Sequence, residues 1–192
     1  MLDYLKDKTI CTNQFLITIV WIVGATSTFT LGIHLKHMPG NFEWNAQAVA
    51  IASAVGPIVA WVVLRYFRAK NVFSYAYGVA AAGFLTIVSL YNEDTPQEEA
   101  EVGVMLLIIV VFVSLLIGMT SVYRTHPMMF PTLFVATSIG ISNLIAKSCV
   151  MAAPQMAELD YPTPLIIVGI GNAVAAIASA FIIEPKFEQD KL

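Results

Sequence analysis

Residues 102–123 read V-G-V-M-L-L-I-I-V-V-F-V-S-L-L-I-G-M-T-S-V-Y, an apolar run with no charged group in it. Coiled as an α-helix at about 1.5 Å per residue, the run covers roughly 33 Å, close to the thickness of a bilayer's hydrocarbon core. Five more windows share its length and character: about 14–33, 47–67, 72–91, 131–153 and 163–183. Between the windows lie M-P-G-N-F-E-W-N (38–45), R-A-K-N (68–71), N-E-D-T-P-Q-E-E-A-E (92–101), R-T-H-P (124–127) and A-E-L-D-Y-P (157–162). Rich in Pro, Gly or charge, they read as interhelical loops. Composition points the same way, because 58% of the residues are apolar and 12% charged, against about 45–50% and about 25% in a soluble domain. The expected fold is an all-α polytopic membrane protein, a single domain of six transmembrane helices over residues 1–192.

Charge matters here by position. Ten Lys and Arg against thirteen Asp and Glu leave a net charge of -3, so no basic excess points to nucleic acid. Six spans put both termini on one side, together with Lys6, Lys8, Arg65, Arg68, Lys70, Arg124, Lys186 and Lys191, while only Lys36 lies in a loop of the other side. The positive-inside rule then orients the termini toward the cytoplasm or the mitochondrial matrix, with the acidic stretch Glu93 to Glu101 outside. Trp44, Tyr66, Tyr91, Tyr123 and Tyr161 fall near the expected helix ends, where amphipathic rings favour the headgroup layer. No cleavable signal is expected, since the first apolar block is too long and Asp3 and Asp7 precede it. Cys11 and Cys149, in different apolar regions and outside any C-x-x-C, read as buried thiols.

Small residues recur every four positions at Ala48, Ala52, Gly56 and Ala60, at Gly24, Thr28 and Gly32, and at Gly171, Ala175 and Ser179. Such stripes let helix backbones approach closely where lipid supplies no hydrophobic drive for association. Gly56-Pro57 and Gly169-Ile170-Gly171 are points at which a spanning helix can loosen.

Several stretches, taken in order, resemble the second half of the organic cation and anion transporters of the major facilitator superfamily. T-L-G-I-H-L-K-H-M-P-G-N-F-E-W-N (30–45) is similar to the outer end of the family's seventh helix. L-R-Y-F-R-A-K-N (64–71), with Arg65, Arg68 and Lys70, stands where the family has a basic loop of the form D-R-x-G-R-R. Y-R-T-H-P-M-M-F-P-T (123–132), ending in Phe130, Pro131 and Thr132, resembles the E-L-F-P-T that opens the eleventh helix. S-I-G-I-S-N-L-I-A-K-S-C-V-M-A-A-P (138–154) and F-I-I-E-P (181–185) resemble the rest of that helix and the close of the twelfth. The likeness covers nearly the whole chain but only one six-helix half. Departures cluster at charges: Leu64 replaces the loop's Asp, Phe67 its Gly, Met128 the Glu before Phe130, and Lys147 and Cys149 the Arg and Gly of S-R-x-G, with Val135 where an Arg is frequent. The gating contacts of a moving transporter are therefore expected to be lost.

Lys147 is the only charge well inside an expected span, which by itself marks a candidate substrate or ion contact. Its place sixteen residues beyond Pro131, about 24 Å along a helix, favours instead a structural or lipid-headgroup contact near the outer face. Asn143 and Asn172 read as hydrogen-bonding groups between helices, or as lining of a substrate cavity. His34 and His37 have metal-compatible spacing without a full ligand set, and His126 is assigned to the opposite side. No Walker sequence, nucleophile elbow, H-E-x-x-H or haem-ligand pair occurs, so neither a cofactor nor enzyme activity is expected. If the 192 residues are the natural product, the expectation is an accessory or scaffold subunit of a larger membrane assembly. The partners would be other membrane subunits and lipids, anionic headgroups among them, bound through faces that include the small-residue stripes. By analogy alone the host is a mitochondrial inner-membrane respiratory complex. The alternative is an organic-ion transporter completed by a second half or a second copy.

Overall fold

The structure, a computed structural model, describes residues 8–91 and 97–183, with the side chains of 69 and 97–101 excepted. Its helices are α1 (Lys8–His34), α2 (Phe42–Tyr66), α3 (Ala69–Leu90), α4 (Gln97–Met129), α5 (Thr132–Val150), α6 (Ala153–Ala157) and α7 (Thr163–Ala180). Six of these segments are long and apolar enough to cross a membrane, and among the described residues there is no strand. Lys6, Lys186 and Lys191 lie outside the described residues, as do Glu93 and Asp94 and the side chains of Glu98, Glu99 and Glu101.

α1 to α4 begin before the expected windows, whereas α5 and α7 each end three residues short of theirs. α1 begins at Lys8 and continues through a 3-10 turn at Leu35–His37. α4 takes in 97–101 and the stretch 124–127, so R-T-H-P is helix and not loop. Pro127 removes one helical hydrogen bond only two residues before Met129, the last of α4, where the loss does not split the helix. At the start of α2, the Asn41 side chain accepts from the Glu43 amide at 2.8 Å and supplies an N-cap.

α1, α3, α4 and α7 form the centre, with α3 packed on both α4 and α7, and α1 on α7 and α4. Trp21, Phe73, Tyr77, Phe84, Ile108 and Leu165 fill the space between them. α2 lies along α4 and α5 along α1, each in contact mainly with that one neighbour. Exchanging α1, α2 and α3 for α4, α5 and α7 reproduces the same packing scheme. Because each group holds three spans, successive reversal of the chain runs the two groups in opposite directions across the bundle.

Small-residue stripes pack largely inside this bundle, although Gly32, at the end of one of them, is exposed with nothing within 4 Å of an added methyl. Ala48, Ala52, Gly56 and Ala60 are all buried, and a methyl on Gly56 would sit 2.7 Å from Leu116 Cδ1 of α4. A methyl on Gly24 would meet the Tyr77 hydroxyl at 2.5 Å, and Ala175 and Ser179 are buried as well. Neither Gly56-Pro57 nor Gly169-Ile170-Gly171 breaks its helix; Gly56 admits Leu116, and Gly169 lies where a methyl would be 3.3 Å from Phe84 Cβ.

Candidate functional site

Among the described residues a cluster of six hydrogen-bonded side chains is built from α1, α4 and α5 toward the end of the bundle where α5 begins. Gln14, Thr18 and Trp21 follow one another at helical spacing on α1, Ser138 and Ser142 do so on α5, and His126 approaches from the last turn of α4. Trp21 Nε1–H donates to His126 Nδ1 at 2.9 Å. An indole nitrogen can only donate, so Nδ1 accepts and the ring proton sits on Nε2, which reaches Ser138 Oγ at 2.7 Å. Ser138 Oγ then donates to Gln14 Oε1, and Gln14 Nε2 donates to Ser142 Oγ at 2.8 Å. Thr18 gives its proton to the Gln14 carbonyl at 2.7 Å and therefore accepts from Ser142 across 2.8 Å. One consistent direction of donation runs through all six side chains, and none of their buried polar atoms is left bare. Phe130 covers the His126 ring at 5.1 Å, and the groove beside Gln14 and Thr18, about 260 Å³, is otherwise walled by Ile10, Phe15, Phe134 and Ile141.

A second polar group closes the opposite end, where α1 meets α6. His34 is fully buried, its Nδ1 donating to the Ala157 carbonyl at 2.9 Å and its ring parallel to that of Tyr161. A carbonyl can only accept, so Nε2 carries the lone pair and has no partner. Beyond it, Lys36 Nζ donates to Glu158 Oε1 at 2.7 Å, and His37 Nε2 stands 3.9 Å from Oε2. The hydrogen bond from Lys36, and then its charge, hold the Glu158 carboxyl below the usual carboxylate range.

The sequence candidates do not converge on one site. Lys147 is exposed in the last turn of α5, its ammonium 5.2 Å from the centre of the Phe29 ring on α1. Asn143, one turn earlier on α5, is half-buried with Oδ1 unpartnered. Asn172 is on α7, fully buried, donating to Ser27 Oγ of α1 at 2.8 Å and to the Val168 carbonyl at 2.6 Å. Arg65 and Arg68 are exposed at the turn between α2 and α3, Lys70 is half-buried there, and the Arg65 guanidinium lies 5.8 Å from the Trp61 ring centre. Phe130 is buried over His126, Pro131 caps α5 with a carbonyl that accepts from Phe134 N at 2.8 Å, and Thr132 opens the helix. Of the two cysteines, Cys11 is exposed on α1 and Cys149 half-buried, which corrects the reading of both as buried thiols. Cys11 lines the lipid-facing groove beside Gln14.

Sequence reading missed the six-residue polar chain because His126 was assigned to a loop. The signal was present in the spacing: Gln14, Thr18 and Trp21 at i, i+4 and i+7, and Ser138 and Ser142 at i, i+4, each a polar stripe in an apolar helix. Chemically the chain is a lock. It ties α5 to α1 and α4 by side-chain hydrogen bonds in a region where water cannot replace them. Comparison of the chain with protein-family models and with curated proteins gave no match.

Proposed function

We propose that the chain is a non-catalytic scaffold subunit of a larger membrane assembly, built on one half of a transporter-like fold. The observation that carries this reading is the pair of flanking helices. α2 uses its small-residue stripe against α4 and turns Ile51, Val55, Ile58 and Val62 outward, while α5 uses Ser138, Ser142 and Ala146 against α1 and turns out Leu133, Ile141 and Leu144. Two three-helix groups that pack alike and run in opposite directions support a kinship with the major facilitator fold, whose halves are each built from inverted repeats. A complete transporter of that type closes two such halves over its substrate, so a single half has a face to offer another polypeptide. The hydrogen-bonded lock between α1, α4 and α5 favours a rigid support over a rocking element. The host to examine first is the inner mitochondrial membrane, with the basic end of the bundle toward the matrix.

Gentle extraction and native gel electrophoresis test the proposal: the chain should run in a band far above its 20.9 kDa, and photo-crosslinkers at Ile58 and Leu144 should capture the same neighbour. A stable monomer that captures only lipid from both positions would overturn it.

A second reading, transport of an organic ion with a second half or second copy, is favoured by one feature. Asn143 holds a buried, unpartnered oxygen one helical turn from Lys147 on the same side of α5. Saturable uptake by the reconstituted chain, abolished in Lys147→Met, would establish this reading in place of the scaffold.

A further inference from the structure

We propose that the wedge between α2, α3 and α4 at the basic end of the bundle holds an acyl chain of an anionic phospholipid whose phosphate is gripped by Arg65 and Arg68. α2 and α3 are joined through Phe67 and Arg68 alone, yet they barely touch, because each leans on α4. The space they leave is an apolar groove of about 210 Å³, walled by Val63, Phe67, Val72, Tyr75, Val79 and Ile117. Its walls are almost wholly apolar and suit a hydrocarbon chain. A dry apolar wedge left empty forfeits dispersion contacts along its walls, and in a bilayer the available filler is lipid.

Charge selects which lipid. The groove reaches the α2–α3 turn at Phe67, which lies between Arg65 and Arg68, both exposed, and no Asp or Glu occurs in the sequence between Glu43 and Glu93. Val63 precedes Arg65, Phe67 lies between Arg65 and Arg68, and Val72 follows Arg68 by one turn, so apolar wall and basic residues adjoin along the chain. From Val72 to Val79 the groove wall rises about 10 Å toward the bilayer centre. Planar guanidinium groups match phosphate oxygens in a bidentate way that a choline headgroup partly neutralises.

The test strips the full chain of lipid in detergent and compares phosphatidylglycerol, phosphatidylcholine with the same acyl chains, and inorganic phosphate by native mass spectrometry. Phosphatidylglycerol should be retained roughly thirty-fold better than phosphatidylcholine, the factor for two charges at about 1 kcal/mol each. Arg65→Gln with Arg68→Gln should erase that preference, and so should raising the salt from low to about 0.5 M with the native chain, which requires no variant to fold. Val79→Trp, which fills the groove from its rim, should weaken retention of both lipids. Equal retention of the two lipids, a preference untouched by the arginine substitutions, or stabilisation by inorganic phosphate alone would overturn the site. So would a photo-crosslinker at Val79 that captures a polypeptide and no lipid.

Discussion

Trp21 is buried to 1% exposure, while Trp44 and Trp61 face outward, and the difference lies in what the indole N–H can find. In a hydrocarbon setting an unpaired donor is costly, and Trp21 resolves this through His126, with Tyr123 packed edge-on at 4.6 Å. Trp21→Phe keeps most of the ring and removes the donor, leaving His126 Nδ1 bare. It should cost about 1 kcal/mol, within the roughly 0.6–2 kcal/mol range of hydrogen bonds in membrane bundles. Ser138→Ala breaks the same chain one step further on and should cost a similar amount. Because both act through His126, the double variant should lose less than the sum of the two, as measured by denaturant unfolding in micelles. Strict additivity would mean that the hydrogen bonds do not work as a unit. At the other end, Glu158 has a folded pKa depressed by Lys36, so its contribution to stability is present above the ordinary Glu range near about 4.3 and is lost as pH falls through the folded value. Glu158→Gln should therefore be less stable than the native chain at neutral pH, and the difference should vanish in acid. Since the Glu158 side chain is exposed, the effect is small.

At the scale of helices, glycines fall into two classes with opposite predictions. A methyl on Gly118 would lie 2.8 Å from Tyr77 Cζ, and Tyr77 is wholly buried, so the ring has nowhere to go. Gly118→Ala and Gly56→Ala should each destabilise by about 1–3 kcal/mol through overpacking of α3 against α4 and α2 against α4. Gly78 and Gly140 have no neighbour within 4 Å of the added carbon, and there alanine should stabilise by roughly 0.5–1 kcal/mol, because glycine is a poor residue in a helix interior. Thermal unfolding of the four variants checks the sign at each position. The same residues show what could be read from sequence. The four-residue spacing of Ala48, Ala52, Gly56 and Ala60 identified the close-packed face of α2, but spacing names a face and not its neighbour, and the neighbour is α4 of the same chain. Helix number followed from bilayer-length apolar runs, whereas helix ends did not. Proline and charge at 124–127 mark a loop by local chemistry, yet packing of His126 under Trp21 and Phe130 holds that stretch in α4. The polar lock was hidden for this reason: its central member belongs to a segment that reads as loop.

For the whole molecule, the order of the spans fixes direction as well as packing. With the chain reversing at each connection, α1 and α4 lie three spans apart and run antiparallel through the centre. That arrangement brings Lys8, Arg65, Arg68, Lys70 and Arg124 to one end of the bundle, and Lys36 and Lys147 to the other. Basic loops are retained on the side from which a chain is inserted, so the Arg68 turn should face the cytoplasm or matrix, and the Lys36–Glu158 pair the opposite compartment. Cys11 and Cys149 are first replaced by serine, since Cys11 is exposed and would react. Single cysteines then replace Arg68, Glu43 and Glu158 in turn, and sealed vesicles of known orientation are treated with a membrane-impermeant maleimide. The cysteines at positions 43 and 158 should react from one side and that at 68 only from the other, or after the membrane is opened. Because 43 and 158 belong to different groups and are joined to 68 by α2 in one case and by α3, α4 and α5 in the other, agreement between them tests every reversal from α2 through α5. Reaction of 68 and 158 from the same side would mean that one of α3, α4 and α5 fails to cross, and the opposed directions of the two groups would fall with it.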